Sequence, residues 1–143
     1  MRKVVLADTG FWLGFVDPRD PYHAAAIEWA ELLDDQHTLL LLAWPCLYES
    51  MRTRLVRNRR RTLDFEQLIR RPAVQLLDDS EYREAALDAV FARSHKLGVS
   101  FSLADGVIRE MVSDLDLRID YLLTFNSADF ADVCQARQIE LLG

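Results

Sequence analysis

The fold is decided by the stretch Lys3-Val-Val-Leu-Ala-Asp-Thr-Gly10. Its apolar and β-branched residues predict a strand over 3–7 that ends at Asp8. Further short apolar runs predict four more strands, at 38–43, 74–77, 121–124 and 138–142. The run Thr38-Leu-Leu-Leu-Leu-Ala43 shows no alternation with polar residues, which is typical of a strand buried on both faces of a parallel sheet.

Helical patterns occupy the intervals between these strands. We expect helices to begin at Asp20-Pro21, after Pro45, at Asp79 or Ser80, and at Ser102. Pro72 should end the long basic helical region, Gly98 should close the helix that follows, and 126–131 should be a loop or a short helix. The alternation predicts one domain over 1–143, with a three-layer α/β/α fold around a mainly parallel sheet.

The composition excludes several broad classes of protein. The chain has 143 residues and a net charge of −6, which fits one globular core and argues against binding nucleic acid by bulk charge. Its two cysteines, Cys46 and Cys134, lack the spacing of a disulfide framework or a zinc site. The longest stretch without Asp, Glu, Lys or Arg, 36–48, is too short to span a membrane. We therefore expect a cytoplasmic protein without a membrane anchor.

Four carboxylates fall where parallel strands are expected to end. Asp8 follows the first strand, Glu49 lies in the helix after the second, and Asp105 lies in the helix before the fourth. Asp129 follows the fourth strand, with Asn126 before it. Because ligands bind outside the carboxyl ends of parallel strands, these side chains should share one cleft. Such carboxylates need a cation or raised pKa values, and oxygen donors suit Mg²⁺ or Mn²⁺. The set therefore favours metal-assisted hydrolysis of phosphodiester bonds.

Each carboxylate also has a structural explanation of its own. Ser102-Leu-Ala-Asp105 matches a capping box, and Asp129 could cap a short helix. Asp8 could shape a turn, and Glu49 could pair with a neighbour on its own helix. These explanations are independent of one another, whereas a shared metal site accounts for all four positions at once.

An arginine-rich segment follows the helix of Glu49. Six arginines lie within ten residues, at Arg52, Arg54, Arg57, Arg59, Arg60 and Arg61. With Arg70 and Arg71 they make eight of the 17 basic residues of the chain. Three interpretations are open: a flank that docks RNA, a dock for the acidic tail of a partner protein, and a solvated surface with internal ion pairs.

The motifs around the carboxylates occur in a recognisable order. They are Val5-Leu-Ala-Asp-Thr-Gly-Phe-Trp12, Pro45-Cys-Leu-Tyr-Glu49, Ser102-Leu-Ala-Asp-Gly-Val-Ile108 and Leu123-Thr-Phe-Asn-Ser-Ala-Asp-Phe130. Over nearly the whole chain, this set resembles the PIN-domain ribonucleases, and among them the VapC-type toxins of toxin–antitoxin pairs. The resemblance implies a PIN-like fold and an endoribonuclease that depends on Mg²⁺ or Mn²⁺.

By position, the resemblance also implies roles for individual residues. Asp8, Glu49 and Asp105 would be the acidic catalytic residues and metal ligands, with Asp8 and Asp105 closest to the metal. Thr9 and Ser102 would support the site through hydrogen bonds.

The fourth acidic position departs from the commonest pattern of the family. Many relatives have an aspartate where this chain has Asn126, whereas others have Asn followed three residues later by Asp, as here with Asp129. Because the side chain of Asn126 is neutral, we expect one strong metal site and one weaker site to which Asp129 contributes.

The resemblance further implies partners. We expect an RNA substrate, a small cognate antitoxin and a homodimer, with Phe11, Trp12 and Phe15 as apolar surface candidates. Two alternative functions remain open: a PIN-like module that binds RNA or a partner with little cleavage, which Asn126 favours, and a housekeeping RNA-processing nuclease.

Overall fold

The computed structural model describes residues 2–35, 37–97 and 101–143. The strands are β1 Val4–Ala7, β2 Leu39–Ala43, β3 Val74–Leu77, β4 Tyr121–Leu123 and β5 Glu140–Leu142. The α-helices are α1 Thr9–Val16, α2 His23–Asp35, α3 Trp44–Met51, α4 Arg59–Ile69, α5 Arg83–Leu97, α6 Leu103–Ser113 and α7 Ala131–Arg137. Two short 3₁₀ helices cover Arg54–Arg57 and Ser127–Asp129.

The five strands form one parallel sheet in the order β3-β2-β1-β4-β5. β1 is central, and Leu6 is paired with Leu41 on one side and Leu122 on the other. All four residues of β1 are buried, as expected for a strand with neighbours on both edges and helices on both faces. The predicted α/β/α fold with a parallel central sheet is confirmed.

The strand order changes direction between β1 and β4. The chain moves from β1 to β2 and β3 on one side, then returns to β4 and β5 on the other. The backbone N–H of Asp8 donates to the carbonyl of Leu123 at 2.9 Å, so the ends of β1 and β4 are joined at this point. In open parallel sheets, ligands bind where the strand order reverses. The topology therefore points to the carboxyl ends of β1 and β4.

The helices cover both faces of the sheet. α1 packs against α2, α3 and α4, whereas α6 packs against α5 and α7. Right-handed crossovers put the helices of the β1-β2-β3 half on one face and those leading to β4 and β5 on the other. The largest fully buried side chains come from both layers, and they include Trp12, Phe11, Phe65 and Phe130.

Helix α1 has no counterpart in the sequence prediction. Its sequence, Thr-Gly-Phe-Trp-Leu-Gly-Phe-Val, lacks the polar face on which helical periodicity depends, because it packs against three other helices. Gly14 permits the close approach to α2, since a Cβ there would lie 3.2 Å from the Cβ of Ala26. Phe11 and Trp12 are 1% and 0% exposed. The expectation that they lie on an apolar surface is wrong, because they belong to the core.

The basic region is not one helix. It contains the 3₁₀ helix Arg54–Arg57 and then α4, and the two are separated by Asn58. The side-chain oxygen of Asn58 accepts from the backbone N–H of Arg61 at 3.1 Å, which caps α4. An N-cap signal inside the arginine run therefore starts a second helix with a new direction.

Helix boundaries differ from the prediction at two further places. α5 begins at Arg83, later than the predicted start at Asp79 or Ser80. The carboxylate of Asp79 accepts a hydrogen bond from the guanidinium of Arg83 at 2.9 Å instead of capping the helix. α7 occupies much of the interval before the last strand. Its C-cap is Gln138, which takes the left-handed conformation with a φ of 56°. A glutamine there gives no sequence signal for a helix end. The predicted helix end at Gly98 lies outside the described residues.

The described ranges contain no helix that is both long enough and apolar enough to cross a membrane.

Candidate metal centre

Asp8 lies between β1 and α1, at the point where the strand order reverses. Its Oδ1 accepts from the backbone N–H of Thr9 at 2.8 Å, which caps α1, and its Oδ2 accepts from the hydroxyl of Thr124 at 3.1 Å. Burial raises the pKa of Asp8, and the charge of Glu49 adds to this effect although the hydrogen bonds oppose it. The side chain is therefore a fixed, half-buried carboxylate whose negative charge is incompletely compensated.

Glu49 reaches the same point from α3. This helix begins directly after β2, and Pro45 occupies its first turn. The hydroxyl of Thr9 donates to Oε1 of Glu49 at 2.6 Å. The predicted supporting residue Thr9 thus joins the ends of α1 and α3. It orients the Glu49 carboxylate towards Asp8.

Cys46 also lies at this site, which the sequence did not predict. One ligand atom each from Asp8, Cys46 and Glu49 lie within 4.8 Å of one another. The Cys46 thiol is 3.8 Å from Oδ1 of Asp8, and burial and the charge of Asp8 raise its pKa. The thiol therefore stays protonated and donates weakly to the carboxylate. A cysteine three residues before a glutamate on one helix is the signal that was available for its position.

Asp105 lies in the first turn of α6, which contacts α3. Burial raises its pKa to about 6, with further contributions from the charges of Asp8, Glu49 and Asp129. The hydroxyl of Ser102 accepts from the backbone N–H of Asp105 at 3.1 Å, as a helix cap does. Within the described residues no reciprocal bond from Ser102 N–H to the Asp105 carboxylate is formed. Only one of the two hydrogen bonds of a capping box is therefore formed. The Asp105 carboxylate is instead influenced by the negative charges of Asp8, Glu49 and Asp129.

Asp129 and Asn126 lie in the loop after β4. The amide of Asn126 donates to the carboxylate of Asp129, and its backbone N–H donates to the hydroxyl of Thr124 at 3.1 Å. Thr124 therefore connects this loop to Asp8. It was not predicted as a site residue, and its place directly after β4 is the signal that could have identified it. Asp129 caps no helix, since α7 begins after Phe130.

Arg109 fixes this loop from α6, one turn after Asp105. Its guanidinium donates to the carbonyl of Asp129 at 2.8 Å and makes two bonds of 2.7 Å to the carboxylate of Asp132. The same guanidinium lies over the ring of Phe101 at 4.5 Å. Arg109 thus joins the helix of Asp105 to the loop of Asp129. This role could not be predicted from the sequence, because its partners are 20 and 23 residues away.

The donor set fits a hard divalent cation. The carboxylates of Asp8 and Glu49 lie within 4.8 Å of each other, whereas Asp105 lies outside this close group. Burial raises the pKa values of Asp8 and Asp105, and the charges of Asp8 and Glu49 raise the pKa of Asp105 further. A cation would relieve this repulsion. The raised pKa of the neighbouring Cys46 thiol favours its protonated form, and the carboxylate oxygens beside it are the ligands that Mg²⁺ or Mn²⁺ prefers.

The arginine-rich segment does not enter the acidic cluster. Arg54 pairs with Asp17 at 3.0 Å, at the far end of α1, and Arg61 pairs with Asp64 at 3.5 Å. The other four predicted arginines are exposed, at Arg52, Arg57, Arg59 and Arg60.

Comparisons with known proteins identify the fold. No family model and no curated protein sequence matches the chain. Among solved structures, VapC20 of Mycobacterium tuberculosis, a toxin that cleaves the sarcin–ricin loop, superposes with a TM-score of 0.68 at 16% identity, covering 90% of this chain and 94% of that one.

Two further structures are similar. VapBC2 of Rickettsia felis, bound to a DNA fragment from its promoter, has a TM-score of 0.63 at 11% identity over 98% of this chain and 97% of that one. FitAcB of Neisseria gonorrhoeae has a TM-score of 0.61 at 16% identity over 97% and 96%. The VapC-type PIN fold that the motifs implied is confirmed at the level of fold.

We expect Arg109→Ala to lower the free energy of unfolding by about 1–3 kcal/mol, because it leaves the Asp129 carbonyl and the Asp132 carboxylate without their charged donor. Arg70→Ala is the control, since Arg70 forms an exposed pair with Glu66 and its loss should cost about 0.5 kcal/mol or less. Urea unfolding of both variants checks this. Equal losses in the two variants would contradict the role of Arg109.

The raised pKa of Asp105 predicts a specific pH dependence in chelator. The folded protein holds this proton up to a pH of about 6, whereas the unfolded chain releases it near its usual 3.8. The stabilising contribution of protonated Asp105 is therefore complete below pH 3.8 and lost as the pH rises through about 6. Urea unfolding between pH 4 and 7 should show wild type losing stability relative to Asp105→Asn. A constant difference would contradict the shift.

Proposed function

We propose that this chain is an endoribonuclease of the VapC type that depends on Mg²⁺ or Mn²⁺. Asp8, Glu49 and Asp105 would hold the metal, and Asp129 would add a weaker ligand. One observation carries the proposal: Asp8 and Glu49 lie together where the strand order of a PIN-like fold reverses, and their charges raise the pKa of Asp105 nearby. That position is where parallel sheets bind ligands.

The residues of the chain supply orientation and charge. Thr124 and the start of α1 hold Asp8, and Thr9 holds Glu49, so neither carboxylate has to be ordered when substrate arrives. When bound, the divalent cation supplies a water molecule of lowered pKa and neutralises charge on the phosphate. Metal-free Asp105 with a pKa of about 6 loses its proton more readily once a cation lies beside it.

Asn126 and Asp129 support an unequal pair of metal sites. The amide of Asn126 occupies one oxygen of the Asp129 carboxylate, and Asn126 itself carries no charge. Asp129 therefore has less capacity for a second cation than two free carboxylates would have. The same observation favours the second candidate function, a PIN-like module that binds RNA with little cleavage.

We further propose a small antitoxin as the protein partner. Two of the structures with this fold, VapBC2 and FitAcB, are named as assemblies, and VapBC2 is bound to a fragment of its own promoter. Self-association of the chain into a homodimer stays an expectation from the resemblance.

Purified protein should cleave single-stranded RNA in Mg²⁺ or Mn²⁺ and stop when EDTA is added. Asp8→Asn and Asp105→Asn should each lower the cleavage rate by at least about 100-fold, because they remove a ligand and not merely a supporting contact. Asp88→Asn, an exposed aspartate on α5, is the matched control and should retain full activity. Wild type that binds RNA but never cuts it in either metal would support the binding module instead.

Controlled expression in a bacterial host separates a toxin from a housekeeping nuclease. A toxin should arrest growth, Asp105→Asn should abolish the arrest, and co-expression of a short open reading frame found directly upstream of the gene should restore growth. Growth that continues with wild-type protein at the same expression level, together with nuclease activity in vitro, would support the housekeeping function.

A further inference from the structure

Helix α1 carries a charged site at each of its ends. At its start, Thr9 donates to Glu49 in the acidic cluster. At its end, Asp17 forms an ion pair with Arg54, at 3.0 Å. α3 contacts α1 and leads into the 3₁₀ helix that carries Arg54, so the same two helices connect the two sites. The eight residues of α1, Thr9–Val16, correspond to about 12 Å along the helix.

Four arginines surround a cleft of about 190 Å³ at this second end. They are Arg19, Arg54, Arg57 and Arg61, and Asp17 is the only carboxylate among the lining residues. Three of the arginines come from the arginine-rich segment, whereas Arg19 comes from the turn after α1. The break at Asn58 matters here, because it lets the 3₁₀ helix and α4 present Arg57 and Arg61 to the same cleft.

The cleft has more arginines than carboxylates that pair with them. Asp17 pairs with Arg54, and Asp64 lies 3.5 Å from Arg61. Arg19 and Arg57 form no ion pair with any residue that the structure describes. Grouped guanidinium ions repel one another, and a phosphate, which accepts two parallel N–H bonds from an arginine fork, would relieve the repulsion.

We propose that the cleft formed by Arg19, Arg54, Arg57 and Arg61 binds a backbone phosphate of single-stranded RNA, at a position outside the bond that is cut. This inference rests on the proposed nuclease function and adds a subsite to it. The cleft lies about one helix length from the acidic cluster, so one strand can contact both. It is therefore a site for substrate beyond the reacting phosphate.

RNA fits the cleft better than an acidic protein segment does. The chain has a net charge of −6 and repels a polyanion over most of its surface. A strand that delivers one phosphate to the acidic cluster needs a cationic contact close by, and α1 runs from that cluster to the cleft. An acidic peptide gains no second contact at the carboxylate cluster, which repels it, and it serves as the alternative in the test.

The first experiment measures binding of a 5′-labelled single-stranded RNA of about twelve nucleotides in EDTA, across a salt series. The double variant Arg19→Ala/Arg57→Ala should bind at least about tenfold more weakly than wild type. The slope of log affinity against log salt should fall by about 0.7, the value for one phosphate contact on a single strand. Arg2→Ala is the control: it removes an exposed arginine before β1, at the opposite edge of the sheet.

The second experiment compares cleavage of a long and a short RNA. A general loss of stability would lower both cleavage rates and leave their ratio unchanged. Wild type with Mn²⁺ should cleave the longer RNA more efficiently than a dinucleotide, and the double variant should lose this preference while it cleaves the dinucleotide as wild type does. Arg57→Lys keeps the charge but not the fork, so it should fall between wild type and Arg57→Ala. If wild type cleaves RNA and the double variant keeps the same length preference, the proposed subsite is overturned and the proposed nuclease function is not.

Two outcomes separate this proposal from its alternatives. If the double variant loses affinity for an oligoglutamate peptide but keeps its affinity for RNA, the cleft is a protein dock and the proposal is overturned. If the double variant shows the predicted fall in affinity and in salt slope but wild type cleaves RNA in no metal, the phosphate site is supported and the nuclease function is not.

Discussion

The structure depends on one carboxylate, Asp8, that is held half-buried at the meeting point of β1 and β4. Charge in such a place is unfavourable unless it is solvated by the protein or paired with a cation. The chain supplies three donors to it: the first N–H of α1, the hydroxyl of Thr124 and the weak thiol donor of Cys46. The pKa of Asp8 is nevertheless raised. The fold therefore positions this charge but does not compensate it, which is the condition expected of a cation site before the cation arrives.

The geometry around Asp8 follows from the short connections between strands and helices. A single residue separates β1 from α1, and none separates β2 from α3. Asp8 and Glu49 are therefore carried by rigid elements with little freedom to move, and Thr9 locks the two together. The other half of the site is joined less directly. Asp105 and Asp129 come from different elements, and Arg109 connects them across the gap.

How much the sequence reveals differs between the parts of this site. Parallel strands show as apolar runs, and polar residues at their ends are easily located, so the sheet and the position of Asp8 could be predicted. Asp105 could be placed because Ser102 signals the start of α6. α1 could not, because a helix that packs against helices on several sides has no polar face to reveal it. Thr124 and Arg109 act through partners that are 116 and 20 residues away in sequence. Contacts of that separation exist only once the sheet order is known.

The separation of charge along α1 explains how an acidic chain could act on an acidic polymer. A cation in the carboxylate cluster would offset charge locally, but at physiological ionic strength its field is screened over about 8 Å. The rest of an RNA strand, beyond that range, would meet a protein of net charge −6. Helix α1, which joins the cluster to the arginine cleft, is about 12 Å long, which is more than the range over which the field of the cation is screened. On the proposed function, the strand would be attracted at two points about one helix length apart, and the net charge of the whole chain would have little effect on either contact.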